Sequence, residues 1–143
     1  MNRVVTVLLG RARARVFDVR AEGTKELPCL HSPETRGGKF HSDRADAPGR
    51  GEHAYHGRIR EELRRHLAAI VAHLTVLTTA DAMVELVLAG PQELVKAAEA
   101  LLTPALRARL IGTLRVDPKR ATVAIITRKT KELQQAWTQL MPG

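Results

Sequence analysis

The sequence is poor in aromatic residues, in cysteine and in long apolar segments, and each shortage excludes a class of protein. Aromatic residues make up 3% of the 143 residues, which disfavours recognition of single-stranded nucleic acid by stacked aromatic side chains. Cys29 is the single cysteine, so an internal disulfide and a cysteine-rich zinc site are excluded. No apolar run reaches about 18 residues, so we expect no membrane-spanning helix.

Length and composition predict one globular domain covering residues 1–143. The chain is 44% apolar and 27% charged, which is ordinary for a folded protein in water. The apolar run after Met1 is shorter than the hydrophobic region of a signal peptide, so we expect a cytoplasmic protein. The sequence leaves open the oligomeric state and whether the chain is a complete minimal protein or a fragment.

Positive charge dominates the chain and is unevenly distributed. The formal net charge is +8, which points to a polyanionic partner such as RNA. Residues 1–20 carry a net charge of +4 and residues 103–131 carry +7, whereas residues 67–102 carry −3. The alternative interpretation is an arginine-rich composition whose charges lie on solvated faces.

The N-terminal third predicts three strands. Residues Arg3–Leu9 are β-branched and apolar, as in a buried strand, and Ala12–Val19 alternates between two faces. The Gly10-Arg11 turn between them predicts a β-hairpin. A third and weaker strand covers Lys25–His31, where Pro28 removes one hydrogen-bond donor and therefore favours an edge position.

A segment without periodicity separates these strands from the rest of the chain. Residues 32–57 are rich in glycine and charge, and we predict a long loop there, of the kind that is usually functional or disordered. A helix is predicted from Tyr55 to Leu74, because apolar residues such as Ile59, Leu63 and Leu67 recur at spacings of three and four.

The C-terminal half alternates helices and strands. Strands are predicted over Met83–Ala89 and Ile111–Val116, and helices over Pro91–Leu102 and Ala105–Leu110, the second of which is capped by Thr103-Pro104. The later half of residues 121–140 is helical, while TVAIIT near its start resembles a strand. We therefore predict an α/β fold, in which a mixed sheet combines an N-terminal antiparallel meander with α/β crossovers and helices pack on it.

The histidines and the glycine-rich loop do not form a recognisable metal or phosphate site. His53 and His56 lie three residues apart, but no acidic or cysteine partner has a diagnostic spacing. The sequence has no phosphate-binding P-loop and no nucleophile elbow. We therefore expect no metal and no cofactor, and we place His66 and His73 at the boundary of the helix that carries them.

Three further side chains are predicted to serve packing. Cys29 is expected to be a small buried apolar residue, because no activating partner is identifiable. Phe17 and Trp137 are expected to anchor the core rather than stack on bases.

Three segments together resemble a known family. They are LLGRARARVFDV, SDRADAPGRGEHAYHGRIREELRRHLAAIVAHL and VELVLAGPQELVKAAEALLTPALRARLIGTLRVD. Their order, their spacing and the position of the loop resemble bacterial release-factor-like proteins related to the middle domain of archaeal and eukaryotic class I release factors and of Pelota. The resemblance covers most of residues 4–117 and implies the fold of that domain.

The resemblance implies a site in the loop. In the release factors, a GRGGQ-type motif enters the ribosomal peptidyl-transferase centre, where a backbone N–H stabilises the reaction while water hydrolyses the peptidyl-tRNA ester. In this chain the motif falls on Gly49, Arg50, Gly51, Glu52 and His53. Gly51, Glu52 and His53 are thus the candidate catalytic residues, with Glu52 in place of the second glycine and His53 in place of the glutamine.

The same resemblance implies contacts with phosphates of ribosomal or transfer RNA. The candidate RNA-binding residues are Arg50, Arg58, Arg60, Arg64 and Arg65. Two alternatives stay open here: the loop is a connector without chemistry, or the helix presents a solvated face on which Glu61 and Glu62 pair with the arginines.

Three functions follow as hypotheses. The first is a translation-associated domain that binds the ribosome and, if catalytic, hydrolyses peptidyl-tRNA in termination or ribosome rescue. The second is a binding module without hydrolysis, as in Pelota, which shares the domain but has no GGQ motif. The third is an interaction protein unrelated to the ribosome.

Overall fold

A five-stranded mixed sheet forms the centre of the fold in the computed structural model of the chain. The structure describes residues 3–11, 13–31, 48–81 and 83–140, and of residues 31 and 48–59 it describes the backbone alone. The strands are β1 (Val4–Leu9), β2 (Arg13–Arg20), β3 (Gly23–His31), β4 (Glu85–Gly90) and β5 (Leu110–Arg115). The helices are α1 (Pro48–Thr79), α2 (Gln92–Ala100), α3 (Pro104–Arg109) and α4 (Val123–Leu140).

The sheet has the strand order β3-β2-β1-β4-β5. β1 pairs with β2 and β2 with β3 in antiparallel register, whereas β4 pairs in parallel with β1 and with β5. The carboxyl ends of β1, β4 and β5 therefore lie at one edge of the sheet, which we call the carboxyl edge. The opposite edge, where these three strands begin, is called the amino edge.

Helices cover both faces of the sheet, and each face has its own core. On one face Val5, Val7 and Leu9 pack with Leu67 and Leu74 of α1 and with residues of α2 and α3. On the other face Val4, Leu8 and Phe17 pack with Ile126 of α4. A buried hydroxyl pair, Thr6 Oγ1 and Thr130 Oγ1 at 2.7 Å, joins α4 to the centre of β1.

The structure confirms the predicted α/β fold and most of its elements. β1 and β2 form the predicted hairpin, and β3 lies at an edge, where its pairing with β2 shifts register between Ala14 and Val16. Thr103 caps α3 as predicted, since its hydroxyl accepts the Leu106 N–H at 3.2 Å. Phe17 is fully buried and Trp137 packs at the margin of the core, so both contribute to packing.

The predicted start of the long helix was wrong. α1 begins at Pro48 instead of Tyr55, so residues 48–54 are helical where the sequence predicted the end of a loop. Residues 32–47, which include Gly37 and Gly38, lie outside the described part of the chain. The first turns of α1 contain glycines and charged residues without an apolar stripe, and apolar periodicity therefore could not reveal them.

Three smaller predictions also needed correction. TVAIIT resembled a strand, but α4 begins at Val123, because its apolar residues recur with helical spacing toward the sheet. Pro91 is the N-cap residue of α2 instead of its first helical residue. Cys29 is only half-buried, since it lies in the edge strand β3.

Candidate functional site

The residues predicted to be catalytic lie in the first turns of α1. Gly51, Glu52 and His53 are helical, as are Gly49 and Arg50 before them. At this depth in an α-helix the N–H of a residue donates to the carbonyl four residues earlier. The N–H of His53 therefore belongs to the hydrogen bonds of the helix, where the resemblance had implied a free donor in a loop.

The arginines predicted to bind RNA all lie on α1. Arg50 and Arg58 belong to the part of the helix described by its backbone, and the side chains of Arg60, Arg64 and Arg65 are exposed. Glu61 Oε2 lies 3.4 Å from both Arg64 Nη2 and Arg65 Nε. The hydrogen bond from Arg64 and its charge lower the pKa of Glu61.

Exposed ion pairs of this length stabilise a helix only weakly. Glu61 therefore neutralises part of the charge of its two partners without fixing their positions. A phosphate could displace Glu61 at little cost. The arginine row of α1, which consists of Arg60, Arg64 and Arg65, is therefore able to bind a polyanion.

His66 attaches α1 to the sheet, a role the sequence did not reveal. Its side chain is 1% exposed, and its Nε2 lies 3.1 Å from the carbonyl oxygen of Gly10, in the turn between β1 and β2. Burial lowers the pKa of His66, although the hydrogen bond with Gly10 opposes this shift. The neutral ring, with the proton on Nε2, donates to Gly10, so the prediction that His66 is a boundary residue was wrong.

The turn that receives His66 requires glycine. A Cβ atom at Gly10 would lie 2.7 Å from the carbonyl oxygen of Arg13, a contact with backbone that a side chain cannot relieve. The tight turn thus holds the Gly10 carbonyl toward α1. Because β1 ends at Leu9, this contact lies at the carboxyl edge.

α1 continues beyond the carboxyl edge from this contact. The C-terminal half of α1, from Leu67 to Leu74, packs along the sheet, and Leu63 still contacts the core. Residues 48–62 precede these contacts and measure about 20 Å along the helix axis at 1.5 Å per residue. The candidate residues of the motif and Arg60 therefore belong to the part of α1 that leads away from the sheet.

At the amino edge, charged residues are paired with one another. Asp18 has a side chain that is 7% exposed and accepts hydrogen bonds from Arg3 Nε at 2.9 Å and Arg20 Nη2 at 3.1 Å. Burial alone would raise the pKa of Asp18, but hydrogen bonds from Arg20 and Arg3 outweigh it and lower the pKa. Arg3 also lies 3.6 Å from Asp81, just after α1.

A groove lies on the α4 side of the sheet. Its lining residues are Ala21, Glu85, Lys131, Gln134, Gln135, Thr138 and Gln139. Glutamine and threonine supply four of these seven residues, and the residues predicted from the sequence lie elsewhere. Among the side chains that the structure describes, no three of His, Cys, Asp or Glu form a group able to hold a metal ion. No helix in the described ranges is long and apolar enough to span a bilayer.

Comparisons with known proteins agree with this architecture. The sequence profile of Bacterial archaeo-eukaryotic release factor family 10 matches residues 1–135. Among solved structures, the archaeal translation termination factor aRF1 is similar with a TM-score of 0.56 and 11% sequence identity. An archaeal protein has a TM-score of 0.47 and 13% identity.

These structural matches cover 98% of this chain but only 41% and 40% of the matched chains, respectively. The likeness to the termination factor shows a shared fold. No curated protein matches the sequence. The profile match spans nearly the whole chain, and the chain therefore belongs to Bacterial archaeo-eukaryotic release factor family 10.

Proposed function

We propose that this chain is a translation-associated domain that binds the ribosome through the arginine row of α1. Membership of a release-factor family supports a role related to translation. The fold shared with an archaeal termination factor agrees with it. The proposed partners are phosphates of ribosomal and transfer RNA, which would place the protein in the cytoplasm.

The observation that carries this proposal is the exposed arginine row on α1. Arg60, Arg64 and Arg65 occupy neighbouring turns of α1, where Arg60 precedes the contacts with the sheet and Arg64 and Arg65 lie beside them. Arginine binds phosphate oxygens through paired N–H donors, and its charge persists at every physiological pH.

Within this proposal we favour binding without ester hydrolysis. Glu52 stands where the release-factor motif has glycine, and a carboxylate is repelled by surrounding phosphates. The helical N–H of His53 donates within α1, so it would serve as an oxyanion donor only if these turns of the helix unwound. Hydrolysis by Gly51, Glu52 and His53 is the second candidate function, and the glycine retained at Gly51 favours it.

Ribosome binding is tested by co-sedimentation with 70S ribosomes at increasing salt. The variant Arg60→Gln/Arg64→Gln/Arg65→Gln is compared with Lys96→Gln/Arg128→Gln/Lys131→Gln, which removes the same charge from exposed positions on α2 and α4. We expect about 10- to 100-fold weaker binding for the α1 variant. Equal binding of the two variants would contradict a role for the arginine row.

Hydrolysis is tested by release of labelled peptide from ribosomes that carry peptidyl-tRNA. We expect no release by the natural protein under conditions where a class I release factor is active. Release that disappears in both Gly51→Ala and His53→Ala would contradict the binding-only function and establish the altered motif as catalytic.

A further inference from the structure

Five cationic residues from segments distant in the sequence lie at the carboxyl edge. They are Arg11, Arg13, Arg115, Lys119 and Arg120, and all five are exposed. Arg11 and Arg13 flank the turn after β1, and Arg115 ends β5. Parallel pairing of β1 with β4 and of β4 with β5 places these strand ends side by side.

The chain after β5 carries the other two cations back across this edge. The N–H of Val116 donates to the carbonyl of Gly90 at the end of β4, at 3.4 Å. Ala121 then accepts a hydrogen bond from Arg15 of β2, at 3.0 Å. Lys119 and Arg120 therefore lie on a connection that runs over the ends of β4 and β1, a width of about 14 Å at the usual strand spacing.

The charge of this surface is only partly compensated. Glu93 lies 3.7 Å from Arg11, and Asp117 lies 4.0 Å from Arg120, with Arg11 65% and Arg120 88% exposed. Such long, exposed ion pairs contribute little to stability, and other anions readily replace their carboxylates. Arg115 donates to the neutral amide oxygen of Gln92 at 2.8 Å, which leaves its charge uncancelled.

We infer that the carboxyl edge is a second phosphate-binding surface, which holds an RNA backbone beside the N-terminal part of α1, residues 48–62. The contact between His66 and Gly10 joins α1 to the turn next to Arg11, so this surface and the arginine row of α1 are neighbours. The choice of RNA as the polyanion rests on the proposed function.

The surface is suited to backbone phosphates more than to bases. Of the described aromatic side chains, Phe17 is buried in the core and Trp137 packs against it on α4, so neither is placed to stack bases at this edge. Arginine and lysine contacts without stacking give binding that is independent of sequence and strongly dependent on salt. At this edge the cations orient α1 on the RNA, which is recognised by its shape and not by its sequence.

The test measures binding of the full chain to large ribosomal subunits and to a single-stranded 20-nucleotide RNA across a range of salt concentrations. The edge variant is Arg13→Gln/Arg115→Gln/Lys119→Gln, and the control is the Lys96→Gln/Arg128→Gln/Lys131→Gln variant. Removing three phosphate contacts should weaken RNA binding about 10- to 100-fold and reduce the slope of log affinity against log salt by about 2. Thermal unfolding of both variants checks that they remain folded. A second edge variant is Lys119→Gln/Arg120→Gln, which is confined to one exposed turn.

Equal losses in the edge and control variants would overturn the inference, because net charge alone would then explain binding. If the natural protein binds ribosomal subunits and the edge variants bind them equally well, the inference fails while the proposed function stands. If the 20-nucleotide RNA binds through the edge but ribosomal subunits do not bind, the proposed function fails and the phosphate-binding surface stands. Edge-dependent binding to phosphatidylglycerol vesicles without RNA binding would overturn the assignment of RNA.

Discussion

The two edges of the sheet use arginine in opposite ways. At the amino edge Arg3 and Arg20 share the buried carboxylate of Asp18, and Arg109 donates to the carbonyls of Asp81 and Val84, both at 3.1 Å. At the carboxyl edge Arg115 and Arg120 are exposed and face a neutral amide or a distant carboxylate. The same residue type therefore holds the fold together at one edge and remains accessible to a ligand at the other.

This difference shows that net charge alone does not locate a binding surface. Residues 1–20 are strongly basic in the sequence, yet Arg3, Arg15 and Arg20 are committed to internal partners. Arg15 binds both carboxylate oxygens of Glu26, at 2.7 and 3.1 Å, as well as Ala121. What separates the two groups of arginines is whether a partner within the protein already satisfies them.

Removing the carboxylate of Asp18 should have the largest effect on stability. We expect Asp18→Asn to lower the free energy of unfolding by about 2–3 kcal/mol, because two arginines would lose their buried counter-charge. Ribosome affinity of the folded variant should be unchanged. Urea denaturation measures the loss, and Asp117→Asn at the carboxyl edge is the control, with an expected change below about 0.5 kcal/mol. Similar losses in the two variants would remove the distinction between the edges.

Adding a methyl group to Gly10 should have the next largest effect. The new Cβ would meet the Arg13 carbonyl, so the turn must shift and the acceptor of His66 moves with it. We expect Gly10→Ala to cost about 1–3 kcal/mol. Gly23→Ala is the matched control, since a Cβ there meets nothing within 4 Å, although its φ of +157° carries some strain. An unchanged unfolding midpoint for Gly10→Ala would contradict the tight turn.

Acidification should weaken the attachment of α1 at the carboxyl edge. Burial holds the pKa of His66 below its ordinary value, so the unfolded chain takes up the proton at a higher pH than the folded protein. The stabilisation is present above the ordinary pKa of about 6.5 and is lost as the pH falls below it. Asp18, with its lowered pKa, keeps its stabilising charge until the pH falls below the ordinary carboxyl range.

Urea denaturation between pH 7.5 and 5 measures the contribution of His66. We expect His66→Gln to show a smaller loss of stability on acidification than the natural protein. His73→Gln, at an exposed position on the same helix, should retain the natural dependence. The same pH dependence in His66→Gln as in the natural protein would assign it to other groups.

The smallest effect is expected from Glu61. Glu61→Gln frees Arg64 and Arg65 from their 3.4 Å pairs, so RNA binding should strengthen by about two- to threefold while the midpoint of urea denaturation changes little. Glu99→Gln, on α2 and outside the arginine row, removes the same charge as a control. Weaker RNA binding of Glu61→Gln would indicate that Glu61 positions the arginines instead of competing for them.

Much of the fold could be predicted because its signals are local. Alternation in β2, the proline in β3 and the Thr103-Pro104 cap each act over a few residues, and each lies where the sequence placed it. The early start of α1 was missed because the sequence of its first turns contains no apolar stripe. The helical state of TVAIIT was missed because its β-branched residues favour strands locally, whereas packing against the sheet decides the outcome.

The candidate site was only partly predictable. The arginine row of α1 follows from spacing along one helix, and the family resemblance drew attention to it. The burial of His66 depends on a turn more than fifty residues earlier in the chain, and the convergence at the carboxyl edge depends on the order of the strands. Uneven charge in residues 1–20 and 103–131 was the available signal, but it does not reveal which of those cations lie at the same edge of the sheet.

The most direct test is photo-crosslinking to 70S ribosomes from a photoreactive residue placed at Arg60 or, for comparison, at Lys131. Arg60 lies in the N-terminal part of α1, residues 48–62, whereas Lys131 lies on α4 near Ala21 and Glu85, toward the amino edge. If α1 and the carboxyl edge bind RNA, ribosomal RNA will be labelled from position 60 and not from position 131. Equal labelling from both positions, or labelling from position 131 alone, would contradict the division of the molecule into a binding edge and a structural edge.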